Sequence, residues 1–288
     1  MSDLLDPQLL IFGLGVGSIL ALAAIGLTLT YGILKLSNFA HGDFMTLGAY
    51  LTWLSNAAGV NIWLSMLVGA VGTIIGMLIA EYLLWKPMRA RRASDTTLII
   101  ISIGLALFVR NGILFLYGGS NQQYQLPIVR ALEFGDLRIA YNRIIVVGLT
   151  IVAITTLHLI LTKTKMGKAM RAVADNIDLA RVSGIDVDRV VLFTWIVTGT
   201  LTALSGAMYG LITGGVRPNM GWFLILPMFA SVILGGIGNV YGAIAGAFII
   251  GIAQELSVPF LGSEYKIGVA LAITIVILLV RPQGLFKS

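Results

Sequence analysis

The sequence predicts an all-α polytopic membrane protein, a bundle of about eight or nine transmembrane helices forming a single domain over residues 1–288. Three observations predict it. Mean hydropathy is +0.95, and charged residues make up only 11% of the chain. Apolar stretches recur at lengths near the roughly 20 residues that cross a hydrocarbon core of about 30 Å. The alternating pattern of a membrane β-barrel is missing, which leaves helices to satisfy the backbone in lipid.

In chain order the apolar stretches are 9–34, 44–55, 62–85, 96–117, 143–162, 190–213, 223–234, 242–261 and 265–280. The first follows MSDLLDPQ, which carries two acids and no basic residue. It therefore reads as a retained span and not as a cleaved secretory signal. Stretches 44–55 and 223–234 are too short to cross alone and read as half-helices or broken helices. One follows LSNFAHGD; the other lies between GGVRPNMGW and GGIGNVYG and contains Pro227. Short or Gly/Pro-interrupted segments in both halves point to the path of a transported solute. On that ground Asn38, His41, Asp43, Gly235, Gly236 and Asn239 are the candidate path residues. Asp43 also has the chemistry of an N-cap for the short helix after it. No residue-level match between the halves is evident. Pairs such as Gly13/Gly17 and Gly242/Gly246 indicate close helix packing.

Basic residues gather after the third span, within 163–189 and at the C-terminus, whereas the alternate loops hold Arg130, Arg138, Arg143, Arg217 and Lys266. The positive-inside rule then puts the N-terminus outside and the C-terminus in the cytoplasm, as nine crossings require. Topology thus explains the net charge of +6 without nucleic acid. The absence of cysteine removes disulfides and thiolate metal sites. Two histidines without an H-E-x-x-H pattern give no zinc site. No G-x-x-x-x-G-K-[ST] loop is present, so the chain does not hydrolyse ATP itself, and no G-x-S-x-G elbow is present either. A transport role is expected, with no cofactor or metal bound by this chain. Ionisable residues in or beside spans are Asp43, Glu81, Arg110, His158 and Glu255. Each costs about 2.5–3.5 kcal/mol at a bilayer centre unless satisfied. A cross-helix pair between Arg110 and Glu255 is one way to satisfy two of them.

Residues 163–189, KTKMGKAMRAVADNIDLARVSGIDVDR, hold six Lys/Arg and four Asp between strongly apolar spans. Met166, Ala169, Met170, Val173, Ala174 and Ile177 recur at helical spacing and make one apolar face; Lys168, Arg171 and Asp175 take the other side. The spacing predicts helices over 166–175 and 178–183, with Gly184 at a C′ position and Asp186 capping the next span. An amphipathic helix lying on anionic lipid is the alternative, but four acids argue against a pure lipid anchor.

Asp178–Gly184, DLARVSG, resembles the E-A-A-x-x-x-G element of ABC importer permeases. Ala180 and Gly184 match, whereas Asp178 stands for Glu and Leu179 for Ala. Together with LSNFAHGDFMTLGAYL, MGKAMRAVADNIDLARVSGIDVDRV, ILGGIGNVYGAIAGAFIIGIAQ and LLVRPQGLF, the chain resembles the H-type permease of branched-chain amino acid ABC transporters over nearly its whole length. That resemblance implies a multi-pass permease subunit of the bacterial inner membrane, working in an ATP-driven importer of branched-chain or other neutral amino acids. Its partners would be a second, M-type permease, two ATP-binding cassette ATPases carrying ATP and Mg, and a periplasmic substrate-binding protein. Similar permeases carry urea, short amides or nucleosides. The resemblance assigns ATPase coupling to Met166, Lys168, Arg171, Asp175, Asp178, Ala180, Arg181 and Gly184, with the apolar face filling a cleft of the ATPase. An ion-coupled secondary carrier is the alternative of a different class.

Overall fold

The computed structural model describes residues 6–126, 131–135, 137–281 and 283–286. Arg130, named above, and Lys287 of the basic C-terminus lie outside them. The chain runs through α1 (Pro7–Leu34), α2 (His41–Ala57) and α3 (Ile62–Ala80). A π-helical turn, Glu81–Trp85, then leads into α4 (Lys86–Ala90). Next come α5 (Asp95–Tyr117), a small antiparallel hairpin of β1 (Leu132–Phe134) and β2 (Leu137–Ile139), and α6 (Tyr141–Lys163). Two short helices, α7 (Lys165–Asp175) and α8 (Ile177–Val182), precede α9 (Val187–Thr213), α10 (Met220–Gly235) and α11 (Val240–Leu256). The chain closes with α12 (Val258–Leu261) and α13 (Lys266–Val280).

Seven of these segments are long and apolar enough to cross a membrane, and α2 and α10 are the two short ones, at 17 and 16 residues. The caps are chemically local. Asp6, Asn61, Ser94, Thr164, Asn176, Asp186 and Asn239 each accept a backbone N–H of the first turn that follows. Asp43 departs from expectation: α2 begins at His41, so Asp43 lies inside the first turn and does not cap it.

Helices α1 and α9 are the most buried of the crossing segments. They run antiparallel, since Thr198 Oγ1 donates to Gly26 O (3.4 Å) while Ser205 Oγ donates to Ile19 O (2.8 Å). Helix α1 packs on α11 and α9 packs on α3. Glycines make both contacts close, with Gly13 against Ile252 and Gly199 against Ile74. After α1 the connector 35–40 turns back into the bundle. His41 Nε2 lies 2.9 Å from Ala23 O, so α2 begins roughly 16 Å short of the end of α1 at the usual helical rise. Connector and short helix together make one crossing. The connector 214–219 and α10 repeat the arrangement from the other side.

The repeat that the sequence did not reveal is visible here residue by residue. Lys35 and Gly214, His41 and Met220, Gly42 and Gly221, and Gly59 and Gly238 are all separated by the same chain offset. Lys35 and Gly214 both end a long helix in the left-handed region, at φ 53° and 73°. His41 and Met220 both open a short helix. Gly59 and Gly238 both turn the chain after it, at φ 89° and 91°. Helix α5 packs on α2 as α13 packs on α10. The described ends lie at opposite ends of the bundle, with Gln8 at Arg138 of β2 and Phe286 against Gly236 at the end of α10. Helix α7 sits on the C-terminal face, where Lys35 Nζ reaches Ala174 O (3.5 Å) and the tail folds back through Leu285 N to Leu234 O (2.8 Å).

Candidate functional site

The two short helices meet at their beginnings. A Cβ placed on Gly221 would sit 1.8 Å from Gly42 O, and one on Gly42 would sit 2.3 Å from Gly221 O. Gly221 N donates to Thr46 Oγ1 (3.0 Å). Backbone that leaves regular helix inside a bilayer must be buried in protein or line a cavity, and this junction is buried.

Around it lie three of the six candidate path residues. Asn38 Oδ1 accepts Ala40 N (3.1 Å), and the His41 ring bridges Ala23 O and Thr202 Oγ1. Asp43, 1% exposed, takes Nε and Nη2 of Arg110 at 2.9 and 3.0 Å. The same guanidinium lies 4.5 Å from the ring centre of Trp222, the residue after Gly221. Arg110 therefore ties α5 to both short helices. The pairing of Arg110 with Glu255 considered above is not formed; Glu255 takes Lys266 Nζ at 2.7 Å. Glu81 takes Arg89 and the indole N–H of Trp195 (2.9 Å). Each of these three buried carboxylates is thus matched by a cation.

The other three candidates lie elsewhere. Gly235 and Gly236 end α10 on the C-terminal face, where Gly235 packs backbone to backbone on Gly242 and Gly236 packs on the tail. Asn239 caps α11 through Gly242 N (2.9 Å). It also lines a cavity of about 460 Å³ with Thr28, Met170, Arg171 and Tyr241. A second cavity, about 620 Å³, opens on the opposite face beside the 214–219 connector, lined among others by Asn121, Tyr209, Arg217 and Phe223. The start of loop 118–142 closes over that end. Gln122 and Val216 exchange backbone hydrogen bonds, Asn56 Oδ1 accepts Gln125 N (2.6 Å), and Tyr124 OH donates to Ala49 O (3.2 Å). Burial pushes the Tyr124 phenol far above its ordinary range, so it stays a donor.

On the C-terminal face α7 and α8 form a protruding pair close to the expected boundaries. Thr164 caps the first, Asn176 caps the second, Gly184 follows in the left-handed region at φ 84°, and Asp186 caps α9. One expectation is corrected. The apolar face of α7 is not free to enter a cleft, because Met170 and Val173 are 1% and 2% exposed and α7 packs on α6, α9 and α1. Met166 is half-buried and Ala180 is buried, so both hold the pair in place. Arg171 donates to Leu161 O and braces α7 on α6. The outward surface includes the charged Lys168, Asp175, Asp178 and Arg181 and an apolar knob on α8, Leu179 and Val182, which are 62% and 80% exposed.

The family model described as "Branched-chain amino acid transport system / permease component" matches residues 9–278. The chain belongs to this permease family. Among curated relatives, the permease is 32% identical to the high-affinity branched-chain amino acid transport system permease protein LivH of Salmonella typhimurium, covering 95% of this chain and 92% of the relative. It is 29% identical to BraD of Pseudomonas aeruginosa (96% and 94%) and 32% identical to the probable LivH of Methanocaldococcus jannaschii (99% and 94%). Among solved structures it matches a chain of PsaBC from Streptococcus pneumoniae in complex with Fab, at TM-score 0.53 and 13% identity over 96% of this chain and 92% of that one. That likeness concerns the fold alone. The permease is a multi-pass transport component and not an enzyme.

The sequence named both Asp43 and Arg110 but not their pairing, nor Trp222 against the guanidinium, because contacts across such chain distances leave no local trace. One signal was present. Gly42-Asp43-Phe44 and Gly221-Trp222-Phe223 share a Gly-x-Phe pattern at the start of both short stretches.

Proposed function

We propose that the permease is the H-type membrane subunit of an ATP-driven importer of branched-chain or other neutral amino acids, and that α7–α8 receives a separate ATPase. The observation that carries this reading is the exposed Leu179/Val182 pair on α8, beside the exposed charges Asp178 and Arg181 and next to an α7 that also exposes Lys168 and Asp175, on helices whose other side is anchored in the bundle. A buried apolar centre with a charged rim is the usual anatomy of a docking surface. Because α7 buries Met170 and Val173 and packs on α6, α9 and α1, a push on the knob moves the spans and not just a loop. In this reading the partners are an M-type permease, two ATPase subunits holding ATP and Mg, and a periplasmic binding protein. The chain lies in the bacterial inner membrane with its N-terminus outside and its C-terminus in the cytoplasm. An ion-coupled carrier that relays through a buried carboxylate is disfavoured, since Asp43, Glu81 and Glu255 are each held by a cation.

The test is a paired variant, Leu179→Asp with Val182→Asp. The expected result is loss of the co-purifying ATPase and a fall of about tenfold or more in leucine uptake, with membrane insertion intact. Normal co-purification would place the contact elsewhere. Uptake that collapses with a protonophore while ATP stays high would overturn ATP coupling. Competition by leucine, alanine, proline and urea against labelled substrate assigns the solute.

A further inference from the structure

An apolar groove of about 560 Å³ runs up the outside of the bundle between α3 and α5. One wall is Gly76 and Ala80 of α3 with Leu83 of the π-helical turn, and the α5 wall is Gly104, Leu105 and Phe108. The small residues deepen it, and a Cβ on Gly104 would meet nothing within 4 Å. Along α5 the groove extends from Ile101 to Val109, roughly 12 Å at the helical rise. That is close to the depth of one leaflet of a hydrocarbon core about 30 Å thick. The α3 wall ends in the π-helical turn Glu81–Trp85, a local irregularity often found at functional positions.

The segment that joins the two walls, α4 and residues 91–94, lies beyond the Leu84/Ile101 end of the groove, with the start of α5 at Asp95 roughly 9 Å from Ile101 at the helical rise. It carries Lys86, Arg89, Arg91 and Arg92. Two of these are already matched: Arg89 pairs with Glu81, and Lys86 lies 3.6 Å from Asp188. Among the described residues Arg91 and Arg92 have no carboxylate partner, and both are exposed. Arg92 sits in the left-handed region, at φ 53°, where the chain reverses into α5.

We infer that this groove is a binding site for an anionic phospholipid, with one acyl chain along Gly76, Ala80 and Gly104 and the headgroup phosphate on Arg91 and Arg92. An apolar slot of leaflet depth, ending in uncompensated positive charge at the interface, selects an anionic lipid over a zwitterionic one. The inference is independent of which solute the permease carries and of where an ATPase docks.

The experiment is native mass spectrometry of the full transporter after graded delipidation, with phosphatidylglycerol, phosphatidylcholine and glycerol phosphate added in separate arms. The wild type is expected to retain phosphatidylglycerol in preference to phosphatidylcholine and not to bind glycerol phosphate. Arg91→Gln with Arg92→Gln is expected to weaken retention about fivefold per arginine. Gly104→Leu, which projects a side chain into the open space at the α5 wall, should abolish it at an unchanged melting temperature. Equal retention of both lipids, or phosphatidylglycerol retention untouched by either variant, overturns the inference. Loss with Gly104→Leu but not with the arginine variant also overturns it, and makes the groove a seat for an apolar helix of a partner. If Gly104→Leu fails to fold, the arginine variant alone decides.

Discussion

Gly42 and Gly221 touch backbone to backbone, and the space for a single methyl group is absent on either side: a Cβ on Gly221 would lie 1.8 Å from Gly42 O. The contact joins the beginnings of the two short helices inside the bundle, so it sets where both helix breaks sit. Gly221→Ala is expected to cost at least the about 1–3 kcal/mol of an overpacked core, because the clashing atoms are backbone and cannot rotate away. Gly148→Ala, where a Cβ meets nothing within 4 Å, is the matched control. Thermal unfolding in detergent should separate the two variants clearly.

The ion pair of Asp43 and Arg110 is nearly sealed, with side chains 1% and 16% exposed. Asp43→Asn or Arg110→Gln alone leaves an uncompensated charge and should destabilise by about 3–5 kcal/mol. The double variant should lose less than the sum of the two. A double-mutant cycle on melting temperature measures the coupling, and simple additivity would mean the pair contributes nothing as a pair.

Lys35 and Gly214 end equivalent helices in the same left-handed conformation, but only one of them is glycine. The side chain at Lys35 costs about 1–2 kcal/mol there. Lys35→Gly is therefore expected to be neutral or stabilising, while Gly214→Ala should lower the melting temperature. Equal effects of the same sign would refute the equivalence.

Gly184, at φ 84°, reverses the chain between α8 and α9, and no atom lies where its Cβ would be. A substitution there strains the backbone without a steric clash. On the proposed docking of an ATPase at α7–α8, Gly184→Trp should leave insertion intact and separate ATP hydrolysis from uptake in the assembled transporter. Normal uptake by that variant would remove Gly184 from the coupling path.

Trp195 donates its indole N–H to the buried carboxylate of Glu81 at 2.9 Å, linking α9 to the π-helical turn after α3. Trp195→Phe removes that donor and should cost about 1.5–3 kcal/mol. Retention of the wild-type melting temperature would show that Arg89 alone satisfies Glu81.

The sequence by itself determined what local chemistry can encode. Apolar length set seven long spans and two short ones, and helical periodicity with capping residues placed α7, α8 and the start of α9 within a residue or two. Motif runs carried the family. Tertiary structure decided whatever depends on contacts between distant positions. Asp43 looked like a cap because its type suits one, yet a guanidinium 67 residues away claims it. The apolar stripe on α7 looked free because periodicity shows that a face exists and not what covers it; α6 and α9 cover it. The repeat escaped notice because residue types match at only a few equivalent positions, such as Gly42/Gly221, Phe44/Phe223 and Gly59/Gly238, while others, as with Lys35 and Gly214, share only backbone conformation. Backbone angles and mutual burial are properties of the folded chain, and only the fold brings Gly42 to Gly221.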